Sequence, residues 1–148
     1  MMVKGKNLLK KAEIELKKQN PELKAVFSFL MDAANLDNHE AMYAIGTWYL
    51  HGKYVKRDST LAVEYFLKSV KGNNSNAYYD LAICLEKGVG TKKNKRKAFE
   101  CYLNAALFGD KQSLYEVGRC YYHGIGISKN KEVGAIWLKR AKADGIVA

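Results

Sequence analysis

Apolar residues recur along this chain with the spacing of a helical face, and the faces come in pairs. Leu81, Cys84 and Leu85 stand at i, i+3 and i+4, and further on Ala98, Cys101, Tyr102, Ala105 and Ala106 repeat the pattern. Both stretches fit amphipathic α-helices. Between them lies KGVGTKKN. Glycine enters the left-handed conformation without a Cβ penalty, so the first helix is predicted to end at Gly88. Asn94 falls where an N-cap belongs, placed to accept from a free amide of the second helix.

The stretch from Ala77 to Asp110 is flanked by copies of itself in one register. Gly46, Ala82 and Gly118 are separated by 36 residues, as are Gly52, Gly88 and Gly124, then Asp58, Asn94 and Asn130, then Ala62, Ala98 and Gly134. A helix pair of this kind buries its apolar stripe only by stacking on a neighbouring pair. The predicted fold is therefore all-α, a right-handed α-α superhelix (solenoid) of helix-turn-helix repeats. One repeat domain is expected over residues 1–148: a capping helix and half repeat in 1–37, then repeats in 38–73, 74–109 and 110–145.

Before the repeats, Leu8, Leu9, Ala12 and Leu16 lie between lysines in a segment from about Lys4 to Gln19. This predicts a short amphipathic helix that caps the open end of the stack, with a basic partner-binding or membrane-surface helix as the other reading. Asn20 followed by Pro21 predicts the N-cap and first position of a second helix, while the repeat phase gives a half copy from Glu22 to Asp37 with Phe29, Leu30 and Ala33 at its phased sites.

The third copy reads SLYEVGRCYYHGIGISKNKEVGAIWLKRAKADG. With Tyr115, Val117, Gly118, Tyr121, Gly124, Gly126, Ile127, Trp137, Ala141 and Gly145 in phase, it resembles the Sel-1-like repeat family, an α-solenoid related to the tetratricopeptide repeat. The resemblance covers Ala41 to Gly145. The departures are Tyr54 at the second glycine of the first turn, Ala82 in place of a packing glycine, and Gly134 in place of alanine. It implies a non-enzymatic, protein-binding scaffold acting as adaptor, regulator or cognate inhibitor. In related solenoids the first helix of each pair lines the concave side. That implies a binding face of Tyr43, Thr47, Leu50 and His51, then Tyr79, Ile83, Glu86 and Lys87, then Tyr115, Arg119, Tyr122 and His123.

Composition changes this picture little. The chain has 148 residues, 48% of them hydrophobic, with one proline, which suits an ordered helical domain. No apolar run approaches the roughly 18 residues of a membrane span. The N-terminal stretch lacks the apolar core of a secretory signal, so a cytoplasmic location is expected. Cys84, Cys101 and Cys120 form no regular pair and are expected to pack as small apolar thiols.

Charge adds a second candidate surface, since 25 basic against 15 acidic residues give a net +10. The excess sits in the turns, at Lys53, Lys56 and Arg57, at Lys92, Lys93, Lys95, Arg96 and Lys97, and at Lys129 and Lys131. Aligned along a solenoid edge these would make a basic ridge that speeds association with an acidic partner. The ridge is mostly lysine with few aromatics among it, which disfavours base readout in a nucleic acid. Binding of nucleic acid or an anionic surface is the alternative function. The last helix carries Lys139, Arg140 and Lys142, which either keep its outer face soluble or leave it for another subunit, a partner or a continuation.

Candidate chemistry is scarce. HEAMY from His39 lacks the second histidine of a zinc-binding helix, because Tyr43 stands there. The GVG and GIG turns follow helices and end in no Gly-Lys-Ser/Thr, unlike phosphate loops. His51 and His123 lie two repeats apart. The carboxylates are scattered among lysines, so no acid–base pair is proposed. No catalytic residue, metal or cofactor is expected.

Overall fold

The structure, a computed structural model, describes residues 3–146. Its helices are antiparallel pairs set at the period of the sequence. The chain divides into one unit up to Gly72 and a second from Asn73. The first holds α1 (Lys6–Leu16), α2 (Leu23–Asn35), α3 (His39–His51), α4 (Ser59–Ser69) and a 3-10 turn, Val70–Gly72. The second holds α5 (Ser75–Lys87), α6 (Lys95–Leu107), α7 (Gln112–His123) and α8 (Lys131–Ala143). No helix among the described residues is long and apolar enough to cross a membrane.

Polar caps set the starts of these helices. Asp58, Asn94 and Asn130 accept from the amides of Leu61, Lys97 and Val133 at 2.9, 3.0 and 3.0 Å, as their phase predicts. A second capping series, which the sequence reading missed, opens the first helices. Asn38, Asn74 and Asp110, again 36 apart, accept from Ala41, Ala77 and Ser113, each at 2.9 Å.

Two boundaries differ from expectation. Helix α1 is shorter than Lys4 to Gln19, because Gly5 stands just before it at φ 76° and the chain turns away after Leu16. Helix α2 starts two residues later than Asn20-Pro21 suggests: its N-cap is Glu22, and Leu23 is its first residue. The Glu22 amide is taken by the Glu15 carboxylate at 3.0 Å, so the Asn20-Pro21 pair lies in the connection. Glu22 is also the residue 36 before Asp58, so the period marks this start better than the local Asn-Pro signal does.

In the first unit, Leu9 and Ala12 of α1 are buried with Val26, Leu30 and Ala33 of α2 and with Ala41, Ile45 and Trp48 of α3. Ile14 and Leu16 of α1 remain exposed. In the second unit, Ala82, Ala98, Phe99, Tyr102, Val117 and Cys120 form the core. One contact recurs between successive repeats. Phe27 of α2 meets Tyr49 of α3 edge-on at 6.1 Å, and Phe99 of α6 meets Tyr121 of α7 edge-on at 5.2 Å. Both members are displaced by two periods, so the same stacking geometry is used in both units.

Two of the three family departures have a packing consequence. Tyr54 keeps the turn that glycine makes in the other copies: its φ is 63°, against 71° and 72° at Gly90 and Gly126. A non-glycine residue in this region bears about 1–2 kcal/mol of strain. Its ring lies 5.6 Å from Phe27 and 6.2 Å from Trp48, contacts that offset part of that cost. Gly134 acts in the opposite sense. An added Cβ there would lie 2.7 Å from the Tyr122 amide nitrogen and 2.9 Å from the Gly118 carbonyl oxygen, so α7 and α8 approach backbone to backbone. Alanine is favoured over glycine within a helix by about 1 kcal/mol. Gly134→Ala is nevertheless expected to lower stability, by about 1–2 kcal/mol in urea denaturation, because overpacking outweighs that preference. A more stable variant would show that this crossing has room to open.

Candidate functional site

Taken unit by unit, the first-helix positions separate into packed and presented side chains. In the first unit, Tyr43 is half-buried with its ring 5.8 Å from Phe66. The Thr47 hydroxyl donates to the Ala44 carbonyl at 2.7 Å, so its proton is used within α3. Leu50 is half-buried and His51 exposed.

In the second unit, Tyr79 meets Tyr102 edge-on at 6.0 Å, and Ile83 packs against the core. Lys87 and His123 are exposed, while Tyr115 and Tyr122 are half-buried. Tyr122 lies against the His123 ring at 5.1 Å, with the Lys131 ammonium 5.5 Å from its ring centre.

Glu86 and Arg119 do more than present themselves. Arg119 Nη2 donates to Glu86 Oε1 at 2.6 Å, and Arg119 Nε donates to Glu116 Oε2 at 2.8 Å. The Tyr102 hydroxyl donates to the same Glu86 oxygen at 3.0 Å. A Glu–Arg–Glu cluster with a tyrosine thus joins α5, α6 and α7. Burial alone would raise the Glu86 carboxyl, but the bonds from Arg119 and Tyr102 outweigh it and hold the group below the ordinary glutamate value. Burial opposes the charge on Arg119, yet its bonds to Glu86 and Glu116 keep the guanidinium more firmly protonated than usual. Burial, then the Glu86 charge, pushes the Tyr102 phenol up, and burial followed by Glu116 does the same to Tyr79. Every one of these shifts leads away from neutrality. The pair of Glu86 and Arg119 is thus held as two fixed charges.

The sequence reading named Glu86 and Arg119 as binding residues and missed that they bind each other. A signal was present. Glu86 stands where the other copies have Leu50 and Tyr122, and Arg119 where they have Thr47 and Ile83. Opposite charges that break the repeat in adjacent copies point to a pair made across the repeat boundary.

All the ridge residues are exposed: Lys53, Lys56 and Arg57 in the first unit, and Lys92, Lys93, Lys95, Arg96, Lys129 and Lys131 in the second. Within the second unit the structure brings two turns together. Gly126, in the third turn, sits on the backbone of Lys95 and Arg96 at the start of α6. Helices α6 and α8 begin with Lys95-Arg96-Lys97 and with Lys131. Cations in a first turn oppose the helix dipole and cost about 0.3–1 kcal/mol each. Arg96 has Glu100 at 3.6 Å, an exposed pair of little worth. Aromatics are closer to the basic turns than the sequence suggests: the Lys53 ammonium lies 4.9 Å from the Trp48 ring centre, and Tyr54 is 50% exposed.

The thiols of Cys84, Cys101 and Cys120 are unpaired, and burial pushes each up to about 11, which keeps them protonated and poorly reactive at neutral pH. No cluster of three or more metal-ligating side chains occurs among the described residues.

The Sel1 repeat model matches residues 39–74, 75–110 and 111–146. No curated protein matches the chain. Among solved structures, a Sel1 repeat protein from Oxalobacter formigenes superposes with a TM-score of 0.87 at 21% identity, over 96% of this chain and 59% of that one. The c5321 protein, a protective antigen of uropathogenic Escherichia coli, gives 0.91 at 21% identity, over 97% of this chain and 31% of that one. Helicobacter pylori cysteine rich protein B gives 0.65 at 23% identity, over 72% of this chain and 86% of that one. The chain therefore spans less than two thirds of the first two structures, and at these identities the likeness is one of fold.

Proposed function

Because the chain belongs to the Sel1 repeat family, whose fold generally serves as a protein-interaction scaffold, we propose that it is a non-enzymatic binder of another protein through the first-helix face of its repeats. The role is that of an adaptor, a regulator or a cognate inhibitor. The observation that carries this reading is the surface of α5 and α7. Tyr79, Tyr115 and Tyr122 are half-buried, and the last two stand four residues before and three after an arginine locked by two carboxylates, on one side of α7. Tyrosine and arginine dominate interface hot spots, and a surface whose side chains are already ordered loses less freedom on binding. Three unpaired thiols suit a reducing compartment, which supports a cytoplasmic location.

A second reading, binding of an anionic surface or nucleic acid, is favoured by the exposure of every ridge lysine and by the basic first turn of α6. Affinity capture from native cells with quantitative mass spectrometry separates the two. The set of captured proteins is expected to be lost with Tyr115→Ala combined with Tyr122→Ala. It should be retained when Lys92, Lys93, Lys95 and Arg96 are changed to glutamine, with capture only slowed. The opposite pattern, with capture falling steeply as salt rises, would give the ridge the leading role.

A further inference from the structure

Helix α8 departs from its sister helices at one outward position. Ile136 is 68% exposed. The residues at the same repeat position in α2, α4 and α6 are Ser28, Glu64 and Glu100, all polar and all exposed. An isolated exposed aliphatic residue needs no explanation, but this one lines a shallow groove of about 470 Å³ with Trp137, Lys139, Arg140 and Ala143. Ile136, Arg140 and Ala143 follow one another at i, i+4 and i+7, so the groove runs along the helix axis.

Apart from Lys139, which belongs to both, the groove lies outside the face on which repeats stack. In α2, Phe27, Met31 and Ala34 pack into the core of the first unit, and in α6 Phe99, Leu103 and Ala106 pack into that of the second. The equivalent residues of α8 are Ala135, Lys139 and Lys142, which lack the aromatic knob and carry two ammonium groups. Ile136 is turned about 100° around the helix from Ala135. A helix received in the repeat's own manner would therefore find charge where α7 finds Leu103 and Ala106.

The rim is basic. Lys139 and Arg140 line the groove and Lys142 is exposed beside it; Glu132 lies one turn before Ile136. Arg140 Nε is 3.4 Å from Asp144 across an exposed pair, which a stronger carboxylate partner can displace. A second copy set on this groove by a two-fold axis would bring Lys139 and Arg140 against their own counterparts, in a chain of net +10.

We propose that the outer groove of α8 docks an acidic amphipathic helix of a partner protein. An aliphatic side chain of that helix lies against Ile136, Trp137 and Ala143, and its flanking carboxylates meet Lys139 and Arg140. This groove is separate from the first-helix face and does not depend on it.

The test is an NMR titration of the 15N-labelled full chain with three synthetic peptides of about 18 residues, long enough for helix. One has a leucine stripe at i, i+3, i+4 and i+7 among glutamates, one has lysines for the glutamates, and one has serines for the leucines. The first alone is expected to give saturable shifts in the amides from Ile136 to Ala143 and in the Trp137 indole. Ile136→Glu, which restores the kind of residue the other copies carry, should weaken that binding by about tenfold or more without disturbing the rest of the spectrum. Lys139→Gln with Arg140→Gln should weaken it as well. Several results would overturn the proposal: no saturable shift, equal binding of the lysine peptide, or equal binding of the serine peptide. So would shifts centred on Tyr79, Tyr115 and Tyr122, or self-association of the free chain that Ile136→Glu abolishes.

Discussion

Replacing Gly126 by alanine is expected to destabilise the protein by about 3 kcal/mol, whereas Tyr54→Gly, at the same position of the first copy, is expected to change stability by about 1 kcal/mol or less. Gly126 has a φ of 72°, where any other residue bears about 1–2 kcal/mol of strain. The larger part of the cost is contact. An added Cβ would overlap the Lys95 carbonyl oxygen, and it would lie 2.6 Å from the Lys95 carbonyl carbon and 3.1 Å from the Arg96 nitrogen. These are backbone atoms at the start of α6, which no side-chain rotation can move aside, so overpacking adds a further 1–3 kcal/mol or so. At Tyr54, by contrast, the removed ring gives up its contacts with Phe27 and Trp48 while the strain is relieved, and the two effects nearly cancel. Urea denaturation of both variants checks the contrast. Wild-type stability in Gly126→Ala would mean that the third turn does not rest on α6.

That pair of residues also shows what the sequence could and could not supply. A spacing of 36 carried the helices, their pairing and the caps at Asp58, Asn94 and Asn130, because period and capping chemistry are local properties of the chain. It also held, unread, the caps at Asn38, Asn74 and Asp110, and its phase marked the start of α2 at Glu22, where the Asn20-Pro21 signal led away from it. Contacts between repeats were harder to read. Nothing local to Gly126 says that it lies on Lys95, and Gly134 reads as a mere loss of a methyl until the Tyr122 amide is found 2.7 Å from where that methyl would be. The candidate face was legible as a set of positions, since the family phase identifies the first helices. It was not legible as chemistry, because whether Arg119 is offered to a partner or spent on Glu86 and Glu116 depends on how α5 and α7 pack.

Arg119→Leu is expected to cost about 2–3 kcal/mol at neutral pH and to reverse the local pH dependence of stability. The side chains of Arg119, Glu86 and Glu116 are 25%, 18% and 14% exposed, so removing the guanidinium leaves two poorly solvated carboxylates and a Tyr102 hydroxyl without their shared cation. Breaking a fully buried pair costs about 3–5 kcal/mol, and partial solvation here reduces that. In the wild type the Glu86 carboxyl is held below its ordinary value of 4.5. Its stabilising contribution is therefore complete above that value and lost as pH falls through the lower folded value. Without Arg119, repulsion and burial raise the folded value instead, so the penalty is present at neutral pH and relieved as the carboxyl takes up a proton on the way down toward 4.5. Thermal melting followed by circular dichroism between pH 7 and 4.5 should then show the variant gaining on the wild type as acid is added. Glu86→Leu in the Arg119→Leu background should recover part of the loss, because the pair is replaced and not merely halved. A variant that melts in parallel with the wild type at every pH would show that the cluster is solvated and holds no repeat to its neighbour. The same reasoning makes charge reversal at Arg119 a poor probe of partner binding, since it would place a third carboxylate among two, and it favours Tyr115 and Tyr122, whose truncation leaves the cluster intact.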